Sequence, residues 1–86
     1  MTAATVHERK RRRLSDDEYA EAAHRLADFV LRLDAVRGFN RFWSMFVADQ
    51  HQRHERFGRE IHFSDRELEI LGEIEHALRG GERNFR

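Results

Sequence analysis

Two Glu-x-x-His pairs are the first features of this sequence that could do chemistry. Glu21 precedes His24 and Glu73 precedes His76, the spacing with which di-iron carboxylate proteins hold metal inside a helical bundle. At about 100° per residue, each pair lies away from the apolar stripe of its predicted helix. We therefore expect these side chains to face solvent. A metal held by such pairs across a dimer interface is the alternative.

A second metal-like pair, His51-x-x-His54, lies on the polar half of the predicted second helix. Two imidazoles one helical turn apart supply too few ligands for a zinc site. The chain contains no cysteine, which excludes disulfide bonds and thiolate zinc sites. No nucleophile elbow, glycine-rich loop or acid–base constellation stands out. We expect no catalytic residues, no metal and no cofactor, and hence a protein that is not an enzyme.

The basic run near the N-terminus is the other candidate for chemistry. It consists of Arg9, Lys10, Arg11, Arg12 and Arg13. Because the whole chain carries 16 cations and 16 anions, the remainder is mildly acidic. The run predicts a disordered, flexible arm over residues 1–13 that could contact nucleic-acid phosphates. An acidic protein, or no target at all, is the competing interpretation, and the acidic body argues against nucleic acid.

Helix signals begin directly after this arm. Ser15 and Glu18 form a capping-box pattern, and the first helix is predicted to continue to about Val36 before a break at Gly38. Its apolar positions recur every three or four residues, which is typical of an amphipathic helix; they are Tyr19, Ala22, Ala23, Leu26, Phe29, Val30 and Leu33.

Two further helices complete the prediction. The second runs from near Phe39 to near Gly58. After a short extended link, the Ser64–Glu67 box opens a third helix that is predicted to end at Gly80-Gly81, a typical C-cap. The fold class is all-α, a small three-helix bundle over residues 14–81 with a short tail over residues 82–86.

The second helix carries more aromatic residues than one bundle contact needs. The stripe of this helix that faces inward is aromatic, then polar, then aromatic again. It combines aromatic residues with arginine, and this combination is typical of interface hot spots. The predicted partner-binding residues are Phe42, Trp43, Gln50, Arg53, His54 and Phe57. Phe29, Leu31, Ile70 and Ala77 are predicted to add surplus apolar surface that a partner would cover.

These observations favour a non-enzymatic interaction protein, either a homodimer or a subunit or regulator that docks on a larger protein complex. A nucleic-acid-binding regulator is the first alternative and a metal-binding helical protein the second. No apolar run approaches the roughly 20 residues of a membrane span, and residues 1–13 lack the apolar stretch of a secretory signal. The expected location is the cytoplasm, without contact with a membrane.

Overall fold

The computed structural model describes residues 11–83. Helices dominate this part of the chain, joined by a 3-10 turn at Gly58–Glu60 and accompanied by two very short strands. The helices are α1 (Asp16–Leu31), α2 (Leu33–Phe39), α3 (Arg41–Phe57) and α4 (Asp65–Arg83), and the strands are β1 (Arg12–Arg13) and β2 (His62–Phe63). The all-α class is confirmed, but the prediction of three helices is wrong.

The extra helix arises because the predicted first helix is interrupted at Arg32. The backbone of this residue leaves helical geometry, with φ −115° and ψ 31°. Its amide donates to the carbonyl oxygens of both Asp28 and Phe29, each at 3.1 Å. Helix α2 then starts at Leu33 and buries Val36 completely. The interruption therefore redirects the chain without removing Val36 from the core.

Side-chain caps fix the beginnings of the three longer helices. Ser15 and Glu18 form a complete capping box at α1, as the sequence predicts. At α3 the side chain of Asn40 accepts from the amides of Phe42 and Trp43, at 2.8 and 3.3 Å. These side-chain acceptors satisfy amides that have no partner within the first turn of a helix.

The end of α4 differs from the prediction. The helix continues through Gly80 to Arg83, so the predicted C-cap at Gly80-Gly81 is wrong. A glycine ends a helix when it adopts a left-handed conformation. Among the described residues only Gly58, which follows α3, has positive φ, at 57°. Gly80 keeps right-handed backbone geometry and the helix continues.

The two strands connect the segment before α1 to the segment before α4. They are antiparallel, with Arg12 opposite Phe63 and Arg13 opposite His62. The prediction of a disordered arm is therefore wrong for Arg11, Arg12 and Arg13, which are held by this ladder and by ion pairs. Residues 1–10, including Arg9 and Lys10, lie outside the described part of the chain.

The core lies where α3 and α4 each pack against both α1 and α2. Phe29 and Ile70, predicted to be surplus apolar surface, are only 1% and 7% exposed. That prediction is wrong because both side chains belong to the core. The other buried apolar residues are Leu14, Ala22, Leu26, Val36, Phe46, Val47, Ile61, Phe63, Leu71, Ile74 and Leu78. Within residues 11–83, no helix has both the length and the apolar character to cross a membrane.

Candidate protein-interaction surface

The polar residues predicted to bind a partner through α3 instead bond to other groups of this chain. Gln50 is 2% exposed and accepts a hydrogen bond from Arg53. Arg53 also donates to the backbone carbonyl of His62. His54 lies 2.8 Å from the hydroxyl of Tyr19, measured from its Nε2 atom. Because these three side chains already have hydrogen-bond partners within the chain, they are less available to bind another protein.

A buried carboxylate organises this polar interior. Glu67 closes the capping box of α4 by accepting from the amide of Ser64 at 2.9 Å. The guanidinium of Arg11 donates to the same carboxylate at 2.7 Å, and Arg53 lies 3.8 Å away. The sequence analysis did not find this cluster, because Arg11 and Glu67 are far apart in the chain and only the strand pairing brings them together.

The protonation behaviour of these groups follows from their surroundings. Burial by itself raises the pKa of Glu67, but the hydrogen bonds from Arg11 and Ser64 and the nearby positive charges outweigh it, so the pKa lies below its ordinary value. Burial lowers the pKa of Arg53, and the neighbouring charge of Arg11 acts in the same direction. Glu67 is thus held as a carboxylate between two arginines.

The remaining described arginines of the basic run are also engaged by acidic side chains. Arg12 contacts Glu18 at 2.7 Å and Asp65 at 3.1 Å, and Arg13 contacts Glu60 at 3.2 Å. The Arg12 hydrogen bond, aided by the amide of Ser15, lowers the pKa of Glu18 to about 2. These pairs neutralise much of the charge that the sequence analysis assigned to phosphate binding.

Apolar side chains are exposed on α3 beside this polar cluster. Phe42 is 60% exposed and Met45 is 64% exposed. The ring of Phe42 stacks on that of Phe46, with centroids 6.4 Å apart and planes inclined by 30°. Beside them lies a groove of about 320 Å³ that reaches Ile70 on α4. Phe39, just before α3, is also half exposed, so the apolar patch extends around the start of the helix.

One continuous strip of α3 faces solvent. Its members recur at intervals of one, three and four residues, which places them within about a third of the helix circumference. We call this strip the outer face of α3; it consists of Arg41, Phe42, Met45, Ala48, Asp49 and Gln52, all of which are exposed. The sequence analysis found only Phe42 in this strip, although the same angular reasoning would have placed its neighbours there.

The charged members of the outer face have no ion pair within residues 11–83. Arg41 makes none, and neither does Arg37, which lies beside it and lines a shallow recess of about 550 Å³ together with Arg41, Ser44 and Met45. Asp49 accepts only a hydrogen bond from the side chain of Gln50, at 3.3 Å. An exposed positive charge, Arg41, and an exposed negative charge, Asp49, therefore lie at the two ends of the apolar patch.

The other predicted aromatic residues lie apart from this face. Trp43 is half buried and borders a separate groove of about 760 Å³ with Gly72, His76 and Ala77 of α4. Phe57, at the end of α3, is half exposed and lies near Arg11, Arg53 and His62. The six residues predicted as a single partner-binding set thus divide into three environments.

The metal-like pairs remain at the surface. Glu21, His24, Glu73 and His76 are all exposed, as expected from their angular positions. His51 contacts Glu55 at 3.4 Å. Within residues 11–83, no group of three or more potential ligands comes close enough to hold a metal ion.

Comparison with protein families, with curated proteins and with solved structures finds no match for this chain.

Proposed function

We propose that this chain is a non-enzymatic helical interaction protein that docks on a protein surface through the outer face of α3. The observation that carries the proposal is the exposure of Phe42 and Met45 side by side on a helix whose other side is core. Contiguous exposed apolar patches of this kind mark association sites. Aromatic residues, methionine and arginine, which are enriched at protein interfaces, occur together here.

A nucleic-acid-binding regulator remains the second proposal, and its support is weaker. It depends on the basic run, whose three described arginines are engaged by Glu67, Glu18, Asp65 and Glu60. A nucleic acid would have to compete with these carboxylates for each guanidinium. Arg9 and Lys10 lie outside the described residues.

The experiment that tests both proposals is affinity capture with a tagged chain in a lysate of its source cells, with and without nuclease. The bait variant is Phe42→Ser with Met45→Ser, which removes apolar surface at two mostly exposed positions. The matched control is Leu31→Ser, because Leu31 is also a highly exposed apolar residue but lies on α1. We expect the tagged chain to retain a protein, which can be an untagged copy of the chain itself. Retention should persist after nuclease treatment and with the Leu31→Ser control, and should be lost with the double variant.

Two outcomes would contradict the leading proposal. Retention that is equal for the double variant and the wild type would show that the outer face of α3 is not the docking surface. Retention that disappears with nuclease would favour the nucleic-acid proposal, and substitution of Arg9 and Lys10 by serine, which leaves the ion pairs of Arg11, Arg12 and Arg13 in place, would then weaken that retention.

A further inference from the structure

The outer face of α3 is complementary to itself. Met45 lies at its centre, Arg41 four residues before it and Asp49 four residues after it. At about 1.5 Å of rise per residue, each charge lies roughly 6 Å from Met45 along the helix axis. The positive charge lies towards the start of α3 and the negative charge towards its end, at equal distances from the centre.

We propose that a second copy of this chain covers the outer face, with the two α3 helices antiparallel about a two-fold axis at Met45. The inference rests on the proposed function, since it names the partner of the same surface. Under this symmetry Arg41 faces Asp49 of the second copy, and the same pair forms again at the other end. Arg41 would gain an opposite charge that it lacks among residues 11–83, and Asp49, which has no ion pair there but lies within the electrostatic influence of Arg53, would gain a direct partner.

The apolar residues of the outer face fit the same arrangement. A two-fold axis at Met45 puts Phe42 and Ala48 of the second copy at the same height but on opposite edges of the contact, so that one large and one small side chain share each height. Antiparallel helices pack closely when large and small residues alternate across the contact, and intervals of three and four residues suit a shallow crossing angle. Charge and shape therefore point to the same register.

The first test measures mass by sedimentation equilibrium at micromolar concentrations. Wild type is expected at twice the chain mass of 10.3 kDa. Arg41→Asp and Asp49→Arg each bring like charges together twice, so each is expected to weaken the dimer on the order of tenfold or more. Arg79→Asp is the control, because Arg79 is exposed on α4.

Mixing the two variants gives the decisive result. Arg41→Asp presents two negative charges and Asp49→Arg presents two positive charges, so an equimolar mixture is expected to form a heterodimer. The double variant carrying both substitutions is expected to recover the homodimer. Loss of the dimer in each single variant and its recovery in the double variant require the antiparallel pairing, because a parallel pair would place Arg41 opposite Arg41 and would be no weaker after either reversal.

A covalent test uses the absence of cysteine from the chain. Met45→Cys places one thiol on the proposed two-fold axis, and mild oxidation is expected to link most of the protein into disulfide dimers. Ala27→Cys, at an exposed position on α1, is the control and is expected to remain largely monomeric under the same conditions.

The outcomes separate this inference from the function on which it rests. A monomeric wild type at these concentrations overturns the homodimer, as does a dimer unaffected by either charge reversal. If the monomer still captures a different protein in a manner lost with Phe42→Ser and Met45→Ser, the inference fails and the proposed function stands. If it captures nothing, both fail.

Discussion

The side chain of Arg11 donates to the buried carboxylate of Glu67 at 2.7 Å, joining the segment before α1 to the first turn of α4. Glu67 also completes the capping box with Ser64. One carboxylate therefore serves both the start of a helix and a contact between distant parts of the chain. Its removal would leave Arg11 and Arg53 close together without the negative charge between them.

We expect Glu67→Ala to lower the free energy of unfolding by about 3 kcal/mol, the usual scale for removing one partner of a buried ion pair. Urea denaturation followed by circular dichroism measures the change. The control is Glu69→Ala, on the same helix but exposed and paired with Arg66 at 3.2 Å. Surface pairs contribute little, so the control should shift stability by less than about 1 kcal/mol. Equal effects would contradict the organising role of Glu67.

The pH dependence of stability follows from the lowered pKa values of Glu67, Glu18 and Asp16. A carboxyl group whose pKa is lower in the folded state stabilises the fold above its unfolded pKa, and the contribution is lost as pH falls through the folded pKa. Stability should therefore decline as pH falls below the ordinary glutamate value of 4.5.

Glu67→Gln removes one of these titrating groups. We expect the variant to be less stable than wild type at neutral pH, and the difference to shrink as the solution is acidified below pH 4.5. Urea denaturation at a series of pH values checks this. A constant difference over the whole acidic range would show that protonation of Glu67 is not linked to folding.

Two truncations separate the contribution of residues 1–10 to thermal stability from that of residues 11–13. Deletion of residues 1–13 should lower the thermal midpoint, because it removes Arg11, Arg12 and Arg13 with their ion pairs and the strand ladder. Deletion of residues 1–10 keeps all of these contacts and should shift the midpoint much less. Thermal melts of both proteins by circular dichroism provide the comparison; indistinguishable melts would contradict it.

The two capping boxes offer a matched pair of substitutions. We expect Ser15→Ala to cost about 1 kcal/mol, the usual loss for an N-cap. Ser64→Ala should cost more, about 2 kcal/mol, because Ser64 is buried and water cannot replace the lost acceptor for the amide of Glu67. Denaturant midpoints measure both changes. A smaller effect at Ser64 than at Ser15 would be evidence against the importance of burial.

Local signals predicted most of the helical structure. The capping boxes at Ser15 and Ser64 marked two helix starts, and the apolar intervals marked the buried faces. The break at Arg32 left no such signal, since Leu33 and Val36 continue the apolar stripe without a gap. The end of α4 was misplaced for a different reason: a glycine is compatible with a helix interior as well as with a C-cap, so Gly80 alone could not decide between them.

The candidate site was harder to predict than the fold. Angular position on α3 placed Phe42 at the edge of the buried face of the helix. Gln50 and Arg53 were predicted to contact a partner, because polar residues on an inward stripe suggested a contact outside the chain. Inside the protein Arg53 bonds to Gln50 and to the carbonyl of His62 and lies close to Glu67. Such long-range pairing depends on the tertiary arrangement, which intervals along one helix do not encode.

The strand ladder and the Arg11–Glu67 contact also have a consequence for the order of folding. Arg11 and Glu67 are 56 positions apart, so their contact closes a long loop and bears its entropic cost. Contacts within helices form between near neighbours and carry no such cost. The ladder should therefore form after the folding transition state, and Arg11→Ala should accelerate unfolding in stopped-flow experiments while leaving the refolding rate nearly unchanged. The segment that joins the start of the described chain to the start of α4 would then set how long the native state persists.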